Sequence, residues 1–371
     1  MILTSVDLVD VRNYTSVHFA PPPGLTVLLG DNAQGKSNLL EAIAMLATGK
    51  SFRTAHEGEI IRDGCAQATI TGDAHVLAGD VRLSCVIARG SRGVRKAYAV
   101  NGEPVRYTAF LGRARVVTFT PADLALVAGA PALRRAALNA ALAQESPRYY
   151  ALLVEYGRIL AQKNALLRGL VEGDDALLDT YDERLVELGT PLIFERARYV
   201  NALAEIVVHV SKRWIDARAA QAPVTIHYRP SLLVSEGAPF EVIAQTFRET
   251  LRARRASERA RGQSLVGPHR DDLVFRLAGH ELGAYGSQGE QRTAVLALKV
   301  AEYTVMRERA REAPLLVLDD VLSELDAQRQ TAFLTNIGTV EQAFITSAAD
   351  LPRAPVAAAY RVAGATVTRL Q

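Results

Sequence analysis

Between the apolar run Leu25-Thr26-Val27-Leu28-Leu29 and the helix-forming residues 38–46 stands the octet Gly30-Asp31-Asn32-Ala33-Gln34-Gly35-Lys36-Ser37. It demands a strand, a tight loop and a helix in that order. A short apolar run closed by glycine is the pattern of a buried strand in a parallel sheet. Gly30 and Gly35 let the backbone pass close to phosphate oxygens, and the N–H groups of Asp31, Asn32, Ala33 and Gln34 between them turn inward on the anion. Lys36 adds a fixed cation, Ser37 offers a hydroxyl to Mg2+, and the positive end of the following helix faces the phosphates. The loop is therefore expected to bind a nucleotide.

A second run, Pro314-Leu315-Leu316-Val317-Leu318-Asp319-Asp320, reads as a buried strand that delivers two carboxylates at its carboxyl end. Ligands bind at that end of an open parallel sheet. Asp319 is expected to hold Mg2+ with Ser37, while Asp320 orients or deprotonates the attacking water, with Lys36 as the third catalytic group.

The 371 residues, 49% hydrophobic and 22% charged, exclude a disordered chain and suggest two domains. No run approaches 18 apolar residues, and Asp7 and Asp10 interrupt any leader-like segment, so a cytoplasmic protein without membrane contact is expected. Cys65 and Cys85 read as core thiols, not as a metal cluster. Strand patterns occupy residues 1–11, 68–72, 81–88 and 96–100, the last running into the hairpin turn Asn101-Gly102. From Asp123 to about Ser211 the texture becomes helical, with breaks at 129–131, at Ser146-Pro147 and at 169–175 that define helices of about 20 to 35 residues. Strand and turn character returns at 223–240, followed by helices at 240–261 and 292–311.

Taken in order, the loop, Ser287-Gln288-Gly289-Glu290-Gln291, the Asp319-Asp320 strand and Ser323-Glu324-Leu325-Asp326 resemble the ATP-binding cassette superfamily. Further segments narrow the match. Leu8 to Tyr14, Gly49-Lys50-Ser51-Phe52-Arg53, Thr120-Pro121-Ala122-Asp123-Leu124, Arg134-Arg135 and Gly267-Pro268-His269-Arg270-Asp271-Asp272 together resemble the RecF family of bacterial recombination mediators, across the whole chain.

That resemblance implies an α/β, ABC-type P-loop ATPase head, similar to the heads of chromosome-maintenance (SMC) ATPases. The head is made from both chain ends, residues 1–122 and 262–371, with an inserted α-helical arm at 123–261. It implies ATP and Mg2+ as ligands, a homodimer closed by ATP, sequence-independent binding to gapped DNA and single-strand/double-strand junctions, and joint action with RecR and RecO in loading RecA. Ser287 and the Gly289 amide would complete the nucleotide site of the opposite subunit from a helix amino end, although Ser-x-Gly is also an ordinary helix cap. Arg12, Arg53 and Asp326 would reach the nucleotide, and His269 would support the fold near it.

The second acid is Asp320 where transporter cassettes have glutamate. The missing methylene withdraws the base by ~1.5 Å, so slow hydrolysis is expected. No histidine follows strand 344–347, which leaves Thr346 or Ser347 as the γ-phosphate sensor. A transporter's energy-coupling subunit and a hydrolysis-poor chromosome scaffold are the alternatives.

Residues 81–102 carry Arg82, Arg89, Arg92, Arg95 and Lys96 and no acid. Arg89, Arg92, Arg95 and Lys96 at a glycine-flanked hairpin tip suit DNA phosphate contact, or a charge-protected strand edge. Arg252, Arg254, Arg255, Arg259 and Arg261 form a second candidate patch or a solvated helix face.

Overall fold

The computed structural model describes residues 1–91, 93–169, 175–214, 222–322, 325, 330, 331, 333, 340–347 and 355–370. It divides into two compact units, residues 1–124 with 299–371, and residues 125–298. The expected arm ended at 261. Residues 262–298 fall instead with the second unit, because the strand they contain pairs inside it.

The first unit holds two sheets. One is antiparallel, in the order β2 (Tyr14–Phe19), β1 (Ile2–Val11), β4 (Gln67–Val76), β5 (Gly79–Gly90), β6 (Gly93–Val100), β7 (Glu103–Val105). Alternate residues of β4 and β5 are buried, as a half-solvated sheet requires. The β6–β7 connection is the expected tight turn, with Asn101 at φ 53° and Gly102 at φ 85°.

The other sheet runs β15 (Thr366–Arg369), β14 (Val356–Ala363), β3 (Gly24–Leu29), β13 (Gln342–Ser347), β12 (Leu315–Leu318), β8 (Val116–Phe119), parallel from β14 through β8. All four residues of β12 are buried, as expected of a strand covered on both faces. Helix α1 (Lys36–Thr48) contributes Leu39, Leu40, Ile43, Met45 and Leu46 to a core shared with both sheets. The short helix α2 (Tyr107–Phe110) adds Phe110 to that core.

The second unit is mainly helical, with α3 (Ala125–Ala128), α4 (Pro131–Glu145), α5 (Pro147–Gly169), α6 (Asp175–Trp214) and α7 (Phe240–Arg261). A small antiparallel sheet runs β11 (His280–Glu281), β10 (Asp272–Leu277), β9 (Val224–Arg229), and α8 (Leu282–Tyr285) follows it. The breaks before Pro131 and Pro147 fall where the sequence placed them. Helix α6, at 40 residues with Pro191 inside it, exceeds the expected 20 to 35. Helix α9 (Gln288–Ala310) starts in this unit and ends in the first.

The candidate arginine patch on α7 is divided: Arg252, Arg254 and Arg261 are exposed, while Arg255 and Arg259 are paired. Arg255 lies 2.6 Å from Asp179 and 2.8 Å from Asp182, and Arg259 lies 2.6 Å from Asp175, so these two are matched to acids of α6. Among the described residues no helix is long and apolar enough to cross a membrane.

Candidate nucleotide-binding site

The phosphate loop leaves β3 and enters α1, and its conformation explains its glycines. Gly30 has φ 151°, and a Cβ there would lie 2.2 Å from the Val362 carbonyl oxygen. Gly35 has φ 118° with Asn13 Nδ2 and Tyr14 OH each 2.8 Å from where its Cβ would be. Ala33 takes φ 64°, the left-handed conformation that turns successive N–H groups inward. Lys36 Nζ reaches back over the loop to the carbonyls of Gly30 at 2.5 Å and Asp31 at 2.7 Å.

Strand order brings the two acids to this loop. β13 lies between β3 and β12, so the carboxyl ends of all three strands meet there. Ser37 Oγ donates to Asp319 Oδ1 at 2.7 Å, and Thr346 Oγ1 at the end of β13 donates to the same oxygen at 3.0 Å. The Asp320 N–H in turn donates to Thr346 Oγ1 at 2.8 Å. Asp320 holds φ 52°, a strained conformation for a non-glycine residue and one that concentrates at functional sites. A cavity of about 310 Å³ is lined by Asn32, Ala33, Gly35, Lys36, Ser37, Asn38, Arg53, Asp320, Thr346 and Ser347.

The residues suit a magnesium nucleotide. Backbone donors and Lys36 would meet anionic oxygens, while the Ser37 hydroxyl and the Asp319 carboxylate offer two hard oxygens, the few protein ligands Mg2+ usually takes beside phosphate. Among the described residues no group of three or more His, Cys, Asp or Glu side chains is arranged to hold a metal unaided.

Other expected residues lie elsewhere. Gln34 faces the β14–β15 turn, accepting the Gly364 N–H at 2.7 Å. Arg12 is not directed into the cavity; its guanidinium makes a two-point contact with Glu41 at 2.8 and 2.9 Å, which raises its already high pKa. Arg53 is the arginine that reaches the cavity, donating to Asn38 Oδ1 at 2.5 Å. Asp326, Ser323, Glu324 and Arg92 lie outside the described residues.

Ser287 is an exposed N-cap of α9: its hydroxyl and N–H both bond Glu290, at 2.9 and 2.8 Å, closing a capping box, while the Gly289 carbonyl accepts from Thr293 at 2.9 Å. His269, half-buried, belongs to a network of the second unit with Tyr156 and Ser264. The neighbouring motif acids serve that unit too. Asp272 takes a two-point contact from Arg134 at 2.7 and 3.0 Å, and Asp271, fully buried, is 3.7 Å from Arg196 and accepts from Tyr228. Of the cationic hairpin, Arg89 and Arg95 are exposed, but Lys96 is committed to the Gly49 carbonyl and Glu57.

Sequence reasoning assigned no role to Glu41, Ser51, Asn13 or Tyr14. Glu41, 1% exposed, accepts from Arg12 and Ser51, and Asn13 and Tyr14 donate to the carbonyls of Gln34 and Gly35 at 3.1 Å. A glutamate inside the apolar run Leu39-Leu40-Glu41-Ala42-Ile43 was the available signal, since a buried carboxylate requires partners.

A phosphate loop beside an acid-tipped parallel strand, with an antiparallel sheet packed over the same helix, defines an ABC-type P-loop ATPase head. The family model of the RecF/RecN/SMC N-terminal domain matches residues 2–365. The chain belongs to the RecF family of DNA replication and repair proteins. It is 41% identical over 350 residues to the RecF protein of Symbiobacterium thermophilum, covering 93% of this chain and 91% of the relative. To that of Chloroflexus aurantiacus it is 39% identical over 362 residues, covering 92% of each. The solved structure of the recombination mediator protein RecF-ATP in the RecFOR pathway superposes with a TM-score of 0.89 at 28% identity, covering 100% of this chain and 98% of that one. An SMC head structure, at 14% identity and a TM-score of 0.56, shares the fold.

Proposed function

We propose that this chain is an ATP-timed DNA clamp of recombinational repair. ATP binds at Gly30 to Ser37, two copies close on gapped DNA, and slow hydrolysis reopens them; RecR and RecO are the partners with which it promotes RecA loading, in the cytoplasm. The observation that carries the reading is the 2.7 Å contact of Ser37 with Asp319, because it joins the loop and the acid strand into one centre.

Lys36 and the loop amides hold the phosphates, and Arg53 stands where it can meet the terminal one. Ser37 and Asp319 would hold Mg2+, which would supply neutralisation of the charge that develops in phosphoryl transfer. Asp320 positions the attacking water, and Thr346 fixes both acids through one hydroxyl. The exposed Ser287 at the start of α9 presents a helix amino end to a second copy, and its capping box leaves that role open.

The test is mass in solution by light scattering with Mg2+ and ATP. The wild type is expected to double in mass, while Lys36→Met and Ser287→Arg stay monomeric. Dimerisation of Ser287→Arg would refute the trans-acting serine, and an unchanging wild-type mass would refute the clamp.

A further inference from the structure

Three side chains close on the carboxyl end of α1. Lys96 Nζ donates to the Gly49 carbonyl at 2.7 Å while pairing with Glu57, Tyr98 OH donates to the same carbonyl at 3.3 Å, and Tyr107 OH donates to the Thr48 carbonyl at 2.5 Å. The last carbonyls of a helix lack intrahelical partners and carry partial negative charge, so a cation and hydroxyls suit them. Gly49, at φ 63°, permits the approach; a Cβ there would lie 2.6 Å from Tyr107 and 2.9 Å from Tyr98.

Lys96 and Tyr98 are two apart on β6 and share a face, while Arg95 points to the other, where it is exposed. Arg89 on β5 is exposed near the same tip. Arg89 shares the face of Lys96 and donates to the Gly58 carbonyl at 3.3 Å, so the hairpin exposes a cation on each face of its tip while Lys96, one step farther in, grips the end of the phosphate-loop helix. Beyond Gly49 the chain turns back to the nucleotide cavity. Ser51 Oγ donates to Glu41 and accepts the N–H groups of Arg53 at 2.9 Å and Thr54 at 3.0 Å, fixing the turn that aims Arg53.

We propose that Lys96 is a positioning residue that couples DNA on the β5–β6 hairpin to ATP turnover, by moving Gly49 and with it the Arg53 turn. This rests on the reading of the chain as an ATP-dependent DNA binder. Lys96 touches neither ligand; it acts through the Gly49 carbonyl.

The experiment measures ATP turnover with and without a gapped DNA duplex, for the wild type, Lys96→Met, Lys96→Arg and Tyr107→Phe, with binding of a fluorescent ATP analogue and of the duplex measured separately. Lys96→Met is expected to keep basal turnover and both affinities within about threefold while DNA stimulation falls about tenfold, roughly one charge-assisted hydrogen bond. Lys96→Arg, still able to donate to Gly49 and Glu57, restores most of the stimulation, and Tyr107→Phe, which keeps its ring, loses part of it. Full stimulation in Lys96→Met, or loss of duplex binding in that variant, overturns the inference alone. A wild type whose turnover ignores DNA overturns the functional reading and the inference with it.

Discussion

His269 makes the second unit sensitive to mild acid. Its Nε2 faces the Ser264 carbonyl at 3.2 Å and must carry the proton, which leaves Nδ1 to accept from Tyr156 OH at 2.8 Å. Burial pushes His269 down to about 4 from its ordinary 6.5, against the pull of the Ser264 carbonyl. Between those values the unfolded chain takes up a proton that the folded chain refuses, so stability falls as pH falls through that window and is flat above it. At 1.36 kcal/mol per pH unit of displacement, the loss between pH 7 and pH 5 is about 2 kcal/mol. Urea unfolding followed by circular dichroism at the two pH values measures it, with His269→Gln as the non-titrating reference. The change with pH is compared, so a constant cost of the substitution cancels. The wild type is expected to lose about 2 kcal/mol more than the variant over this interval. Parallel losses, or a His269 ring resonance titrating near 6.5, would refute the half-buried neutral imidazole.

Two further outcomes follow from buried polar groups. Thr346→Val removes the donor to Asp319 and the acceptor of the Asp320 N–H, and should cost about 1–3 kcal/mol in chemical unfolding; ATP turnover should fall more than ATP affinity, and equal losses would contradict its place at the acids. Lys163, 1% exposed, donates to Glu258 at 2.6 Å and lies 2.6 Å from Asp182, an ion contact not aligned as a hydrogen bond. Lys163→Met should destabilise by about 3–5 kcal/mol by leaving buried Glu258 without its cation and Asp182 with Arg255 alone, and adding Glu258→Gln should recover part of that loss. A single variant as stable as the wild type would show that the acids find other partners.

The chemistry of the nucleotide site was legible because it is local. Phosphate binding needs glycines, a lysine and a hydroxyl at fixed spacing within one loop, and the acids needed only a buried strand to carry them. The sequence also announced the hairpins and the helix breaks, since Asn101-Gly102 and Pro147 act on the backbone within a residue or two.

What spacing could not give was the partner of each charge. Arg12 and Arg53 look alike in sequence, yet Glu41 takes the first in a two-point contact and the second lines the cavity. Lys96 reads as one more cation of a basic tip until β6 is laid against the end of α1. Arg255 and Arg259 of α7 read as part of a surface patch until the acids of α6 face them. Residues 262–298 read as part of the head until β10 pairs with β9.

The sequence by itself determined the phosphate loop, the acid strand, the Asn101-Gly102 turn and the helix breaks before Pro131 and Pro147, because backbone conformation and apolar period act over a few residues. Tertiary structure decided which charges are neutralised, which carbonyls are capped and which unit each strand joins. Those outcomes depend on groups distant in the chain meeting within about 3 Å, where a hydrogen bond or ion pair forms, and no local pattern encodes that meeting.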